Sequence, residues 1–74
     1  MPVAYNPRMK ILLNGEAREI RASASLTDLL EQAGYGARRV AVEVNREIVP
    51  RSRHPEHRLA EGDRVEIVHA IGGG

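Results

Sequence analysis

The 74-residue sequence predicts an α+β domain, a mixed β-sheet with one main helix packed on one face. Three observations carry this. An Asn-Gly pair at positions 14 and 15 separates two apolar-bearing runs; one stretch, "SLTDLLEQAG", has leucines at helical spacing and a marked start and stop; and two later runs, "RVAVEV" and "RVEIVHAI", alternate with period two. A chain of this length makes a single small domain. With no Phe and no Trp, its core is built from Leu, Ile, Val and Ala.

Residues 1–8 contain Pro2 and Pro7 and no periodic pattern, and read as a flexible leader ahead of a fold that begins at Met9. In "MKILLNGEAREIRA", Asn14-Gly15 is a hairpin signal, because both residues tolerate positive φ. Met9, Ile11 and Leu13 share one face of the first strand, and Ile20 and Ala22 mark the inner face of the second. Ser25 caps the helix with Asp28 three residues on, close to a capping box, and Gly34 suits the left-handed position after its last turn. Leu26, Leu29, Leu30 and Ala33 form its apolar stripe.

Val40, Val42 and Val44 alternate along the third strand, which breaks at Asn45-Arg46-Glu47 and resumes as a short edge strand at Ile48-Val49 before Pro50. "RSRHPEHRLAEGD" is polar apart from Leu59, which plugs the core from a turn. Gly62-Asp63 opens the last strand, with Val65 and Ile67 on one face and Val68 and Ala70 on the other. Hairpin, helix, strand, short strand, strand is the order of the β-grasp fold. Its second sheet face stays open, and outward Leu12, Val68 and Ala70 form a candidate docking patch there.

Composition narrows the functional classes. Without cysteine there is no disulfide, thiolate metal site or cysteine nucleophile, which fits a reducing compartment. No run approaches a membrane span and the first residues lack a secretory signal, so the expected location is the cytoplasm. Eleven basic against ten acidic residues leave a formal charge of +1, too balanced for a polyanion binder. Arg46, Arg51, Arg53 and Arg58 bias one stretch positive, but neither Tyr5 nor Tyr35 lies within it to stack on a base, so it reads as a solvated face. His54 and His57 flank Glu56 without a third ligand at useful spacing, and the segment around Pro55 is expected to be an exposed turn rather than a metal site. His69 reads as a partly exposed strand residue. No catalytic constellation is present.

The ending "HAIGGG" is the remaining feature. Terminal glycines ordinarily mark frayed chain. Glycine also enters channels too narrow for any side chain, and four residues from Ile71 extended at about 3.3–3.6 Å each reach on the order of 13 Å. That is enough to carry the carboxylate of Gly74 into another protein's active site, where it can act as an oxygen nucleophile toward an activated phosphate.

"AVEVNREIVPR", "EGDRVEIV" and "AIGGG", in order behind the Asn-Gly hairpin and the "SLTDLLEQ" helix, resemble the ThiS family, sulfur-carrier proteins of thiamine biosynthesis with a β-grasp, ubiquitin-like fold. The resemblance runs from Met9 to Gly74 and implies a carrier rather than an enzyme. By that resemblance, a ThiF-type enzyme uses ATP to adenylate Gly74. A sulfur donor system then displaces AMP to leave a thiocarboxylate, and a ThiG-type thiazole synthase takes the sulfur into the thiazole ring. Gly73 and Gly74 match the family's ending, Gly72 is an additional spacer, and Ile71 leads the tail into the partner's channel. The expected organisation is a leader at 1–8, a β-grasp domain at 9–71 and a tail at 72–74, with no bound cofactor, metal, nucleic acid or membrane. Other sulfur carriers share this tail chemistry, including the small subunit of molybdopterin synthase and carriers feeding cysteine or secondary metabolites. A conjugating ubiquitin-like modifier uses the same carboxyl. A binding module of the TGS type, contacting RNA or protein, would make the glycines incidental.

Overall fold

Asn14 and Gly15 reverse the chain with φ of 51° and 87°, both in the left-handed region that a two-residue hairpin turn requires. The strands they join are β1 (Arg8–Leu13) and β2 (Glu16–Arg21), paired antiparallel from Arg8–Arg21 to Leu13–Glu16. The computed structural model describes residues 7–36 and 38–69. Pairing begins earlier than the sequence indicates, because Arg8 is already in β1 and the Pro7 carbonyl accepts from the Ala22 amide at 3.0 Å.

The helix α1 (Leu26–Gln32) starts with a complete capping box: the Asp28 amide donates to Ser25 Oγ at 3.1 Å, and the Ser25 amide donates to Asp28 Oδ2 at 3.0 Å. The Ser25 backbone N–H is the main reason that the Asp28 carboxyl titrates below its ordinary value; partial burial opposes it, and the Ser25 hydroxyl, Arg21 and Arg58 assist. Gly34 closes the helix at φ 94°. Leu26, Leu29 and Leu30 are buried, and Ala33 packs at the margin of the same cluster.

The remaining strands are β3 (Val40–Val44), β4 (Glu47–Val49) and β5 (Arg64–His69), with a single 3₁₀ turn at Arg51–Arg53. The sheet order is β2-β1-β5-β3-β4; β1 and β5 run parallel and every other pair is antiparallel. The last strand is thus the central one. Met9, Ile11, Leu13, Ile20, Val42, Val65 and Ile67 face α1 in one buried cluster, with Leu59 inserted from the long connection at 4% exposure.

That connection is tied to the helix by its backbone. The Leu59 amide donates to the Ala24 carbonyl at 2.9 Å, and the Leu26 amide donates to His57 O at 3.0 Å, satisfying a first-turn donor that the helix cannot satisfy itself. The β3–β4 turn is Asn45-Arg46, with φ of 53° and 72°. Arginine stands where glycine is easiest to accommodate, at a conformational cost of roughly 1–2 kcal/mol.

Candidate functional site

Ala70, Ile71, Gly72, Gly73 and Gly74 lie outside the described residues; what is described is the platform from which they continue. The platform is β5, and its last pair is His69 with Val40 at the start of β3. Two asparagines hold this strand from opposite sides. Asn14 Oδ1, at the β1–β2 tip, accepts from the Ile67 amide at 2.8 Å. Asn45, at the β3–β4 tip, accepts from the Arg64 amide at 3.0 Å through Oδ1 and donates from Nδ2 to Asp63 Oδ1 at 3.0 Å. Each asparagine takes a positive φ, so the residue that makes the turn also ties the central strand.

Of the expected docking patch, Val68 is 52% exposed and Leu12 is half-buried. The register separates them. Leu12 sits beside Arg64, four residues before Val68 on β5, a distance of about 13 Å along a strand. Between them on the same face stands Glu66. The apolar residue that the sequence reading left without a face is Ile48, 72% exposed and opposite Glu43. The available signal was the two-residue turn, which fixes Glu47 against Val44 and so turns Ile48 outward and Val49 inward. The exposed apolar groups therefore belong to the β3–β4–β5 half of the sheet.

The arginines of the 46–58 stretch are all exposed, but they do not act as one surface. Arg58 donates from Nη1 to the Ser23 carbonyl at 3.2 Å and so braces the turn before the helix. Arg51 and Arg38 border a cleft of about 310 Å³ with Thr27, Glu31 and His54, and Arg51 and Arg39 border another with Val40 and Ala41. Arg38 and Arg39 immediately precede the strand residue that pairs with His69, so positive charge gathers at the end of the sheet where β5 finishes.

The segment around Pro55 is a turn with Pro55 and Glu56 exposed, as expected, but its first side chain turns inward: His54 is 5% exposed, and its Nε2 lies 3.0 Å from the Val49 carbonyl. Its own carbonyl accepts from the Thr27 amide. The residue therefore joins β4 to the helix start. Among the described residues no three His, Cys, Asp or Glu side chains converge, and no helix is long and apolar enough to cross a membrane.

Comparison with known proteins adds to this geometry. The model of the ThiS family matches residues 11–74. A thiazole synthase from Paramagnetospirillum magneticum is 47% identical over 66 residues, covering 89% of this chain and 20% of that protein. This chain therefore spans about a fifth of that relative's length. The sulfur carrier protein ThiS of Escherichia coli is 33% identical over 66 residues and is covered over 100% of its length. The crystal structure of the thiamine biosynthesis protein ThiS from Geobacter metallireducens superposes with a TM-score of 0.77 at 30% identity, covering 89% of this chain and 100% of that one.

Proposed function

This chain belongs to the ThiS family, and on that premise we propose that it carries sulfur for thiamine biosynthesis on the carboxyl group of Gly74. The observation that supports this most directly is the match to the Escherichia coli carrier over that protein's whole length, with the family model extending through Gly74.

The chemistry proceeds in two displacements. A carboxylate oxygen of Gly74 attacks the α-phosphorus of ATP on a ThiF-type activating enzyme, and pyrophosphate leaves. The product is a mixed anhydride whose acyl carbon is open to a sulfur nucleophile. Attack there breaks the bond to the adenylate oxygen, AMP departs, and the carboxyl becomes a thiocarboxylate. Gly72 and Gly73 present no side chain to the channel, and Ile71 is the last residue to do so. The chain acts as co-substrate rather than catalyst, holds no cofactor of its own, and works in the cytoplasm, where ATP is available. A thiazole synthase is its acceptor. The similarity of this chain to part of the Paramagnetospirillum thiazole synthase supports that pairing, since there a related segment belongs to the same polypeptide as the synthase.

Incubation of the full chain with ATP, a ThiF-type enzyme and a sulfide source tests the reading by intact mass. A gain of about 16 Da, oxygen replaced by sulfur at the carboxyl, is expected. A chain lacking Gly73 and Gly74 is expected to fold and to gain nothing. No gain in the full chain, with an enzyme shown to be active on another carrier, overturns the proposal.

A further inference from the structure

The chain contains three asparagines, Asn6, Asn14 and Asn45, and their neighbours set them apart. Asparagine is among the chemically labile side chains, because its amide can be attacked by the backbone nitrogen of the next residue. Asn6 precedes Pro7, which has no backbone N–H to become that nucleophile. Asn14 and Asn45 hold matching places: each opens a two-residue turn at a positive φ, and each accepts through Oδ1 from an amide of β5. They differ in the residue that follows and in what holds the side-chain nitrogen. Gly15 follows Asn14; both are exposed, and nothing lies within 4 Å of the point where a Cβ on Gly15 would stand, so the turn is open to solvent. Arg46 follows Asn45, whose Nδ2 donates to Asp63 Oδ1 at 3.0 Å.

We propose that Asn14 is a self-modification site: attack by the Gly15 backbone nitrogen removes its side-chain amide, and the product loosens β5 from the β1–β2 turn. Hydroxide takes the proton of the Gly15 N–H, and the nitrogen bonds to Asn14 Cγ, with no side chain on Gly15 to hinder it. Negative charge collects on Oδ1, to which the Ile67 amide already donates at 2.8 Å; a donor aimed at that oxygen stabilises the intermediate. The Cγ–Nδ2 bond then breaks, and the nitrogen leaves as ammonia after taking a proton from water. A five-membered imide remains, in which the Gly15 nitrogen joins Cγ and the backbone carbonyl carbon of Asn14. Water opens it. Addition at Cγ gives aspartate, and addition at the backbone carbonyl carbon gives isoaspartate, in which the chain runs through Cγ. By either route one water is consumed and one ammonia released, and no oxidant or reductant takes part.

At Asn45 the same attack is opposed twice. Arg46 carries a side chain beside the attacking nitrogen, and Asp63 both holds the leaving nitrogen and sets a negative charge beside the one that forms. At Asn14 the product changes the fold locally. Isoaspartate adds a backbone carbon to a two-residue turn whose length fixes the Leu13–Glu16 pairing, and it moves the acceptor of the Ile67 amide. Because the reaction uses only this chain and water, it is independent of the sulfur-carrier reading.

The full chain, incubated in mildly alkaline buffer over days to weeks, is followed by intact mass, peptide mapping and thermal melting, beside Asn14→Gly and Arg46→Gly. The wild type is expected to gain about 1 Da, the exchange of NH2 for OH, confined to the peptide that holds Asn14. Asn14→Gly keeps a residue suited to positive φ and is expected to gain nothing. Arg46→Gly places a second Asn-Gly pair in a turn of the same kind, where Asn45 is expected to react at least about fivefold more slowly than Asn14, because Asp63 remains. The isoaspartate form, separated by ion exchange through its added negative charge, is expected to melt at least about 4 °C below the unmodified chain. A wild type that gains no mass overturns the proposal, as does a gain that persists in Asn14→Gly. Equal rates at Asn14 and Asn45 in Arg46→Gly overturn the part assigned to the surroundings of the amide. An isoaspartate form that melts with the original chain overturns the loosening of β5.

Discussion

The third strand presents Val40, Val42 and Val44 to the helix, all buried, and on its other side it presents exposed Ala41 and half-buried Glu43. β5 divides in the same way, with Val65 and Ile67 inward and Arg64, Glu66 and Val68 outward. The inner face is satisfied within the molecule: its side chains interlock with Leu26, Leu29, Leu30 and Leu59, and no buried side-chain polar atom among the described residues lacks a partner. On the outer face two carboxylates oppose each other beside two exposed apolar side chains. The difference teaches how one sheet divides its side chains: alternation sends every second residue into a packed core and leaves those between them to the solvent side.

Variants that act on one face and spare the other break this comparison at its strongest point. Leu29→Ala, at a residue with 0% exposure, is expected to destabilise by about 2–5 kcal/mol in chemical denaturation, a large fraction of what a small domain possesses. A loss below about 1 kcal/mol would mean that the helix is not the main cover of the inner face. Asn45→Ala removes the acceptor of the Arg64 amide and puts alanine at φ 53°, and is expected to cost about 1–3 kcal/mol. Ser25→Ala deletes the helix cap, with an expected loss of about 1 kcal/mol. At the other extreme, Val68→Ser is expected to shift stability by less than about 0.5 kcal/mol while leaving the outer face less apolar. A loss comparable to that of Leu29→Ala would show that the outer face is a second core and end the contrast.

Acid sharpens the same distinction. Asp28 has a folded-state pKa below its ordinary 3.8, so it contributes stability above that value, and the contribution disappears as pH falls from about 3.8 through the lower folded value. Melting temperature is expected to drop over that window in the wild type. The drop should be shallower in Asp28→Asn, and an identical profile in the two would remove the capping carboxylate from the acid response.

Local chemistry made much of the fold legible. Asn14-Gly15, Ser25 with Asp28, Gly34 and the valine alternation each specify a conformation through neighbours within four residues, and each is realised. Leu59, the apolar residue of a polar stretch, is buried as its isolation implies. What escaped the sequence depends on distant pairing. The burial of His54 is set by the Val49 carbonyl and by contact with the helix start, neither of which leaves a periodic trace. The juxtaposition of Glu43 and Glu66 requires the β3–β5 register, joining residues 23 positions apart in sequence. Arg46 interrupts the alternation, but that interruption does not reveal a left-handed turn, because arginine gives no cue for one. Of the expected outward set, Leu12 is half-buried, Val68 is exposed and Ala70 lies outside the described residues; Ile48, turned outward by the β3–β4 register, joins them.

The placement of β5 beside β1 has a mechanical consequence. These two strands run parallel, and their ladder is held by the Leu12 amide on the Asp63 carbonyl and the Asn14 amide on the Val65 carbonyl, each at 2.9 Å, with the Asn14 side chain on the Ile67 amide. Tension between the carboxyl end of β5 and the amino end of β1 runs along both strands and across these bonds. It loads them together in shear instead of peeling them apart one at a time. A pull on the carboxyl end of β5 is therefore resisted by the whole β1–β5 ladder at once, and the central strand is not stripped out bond by bond.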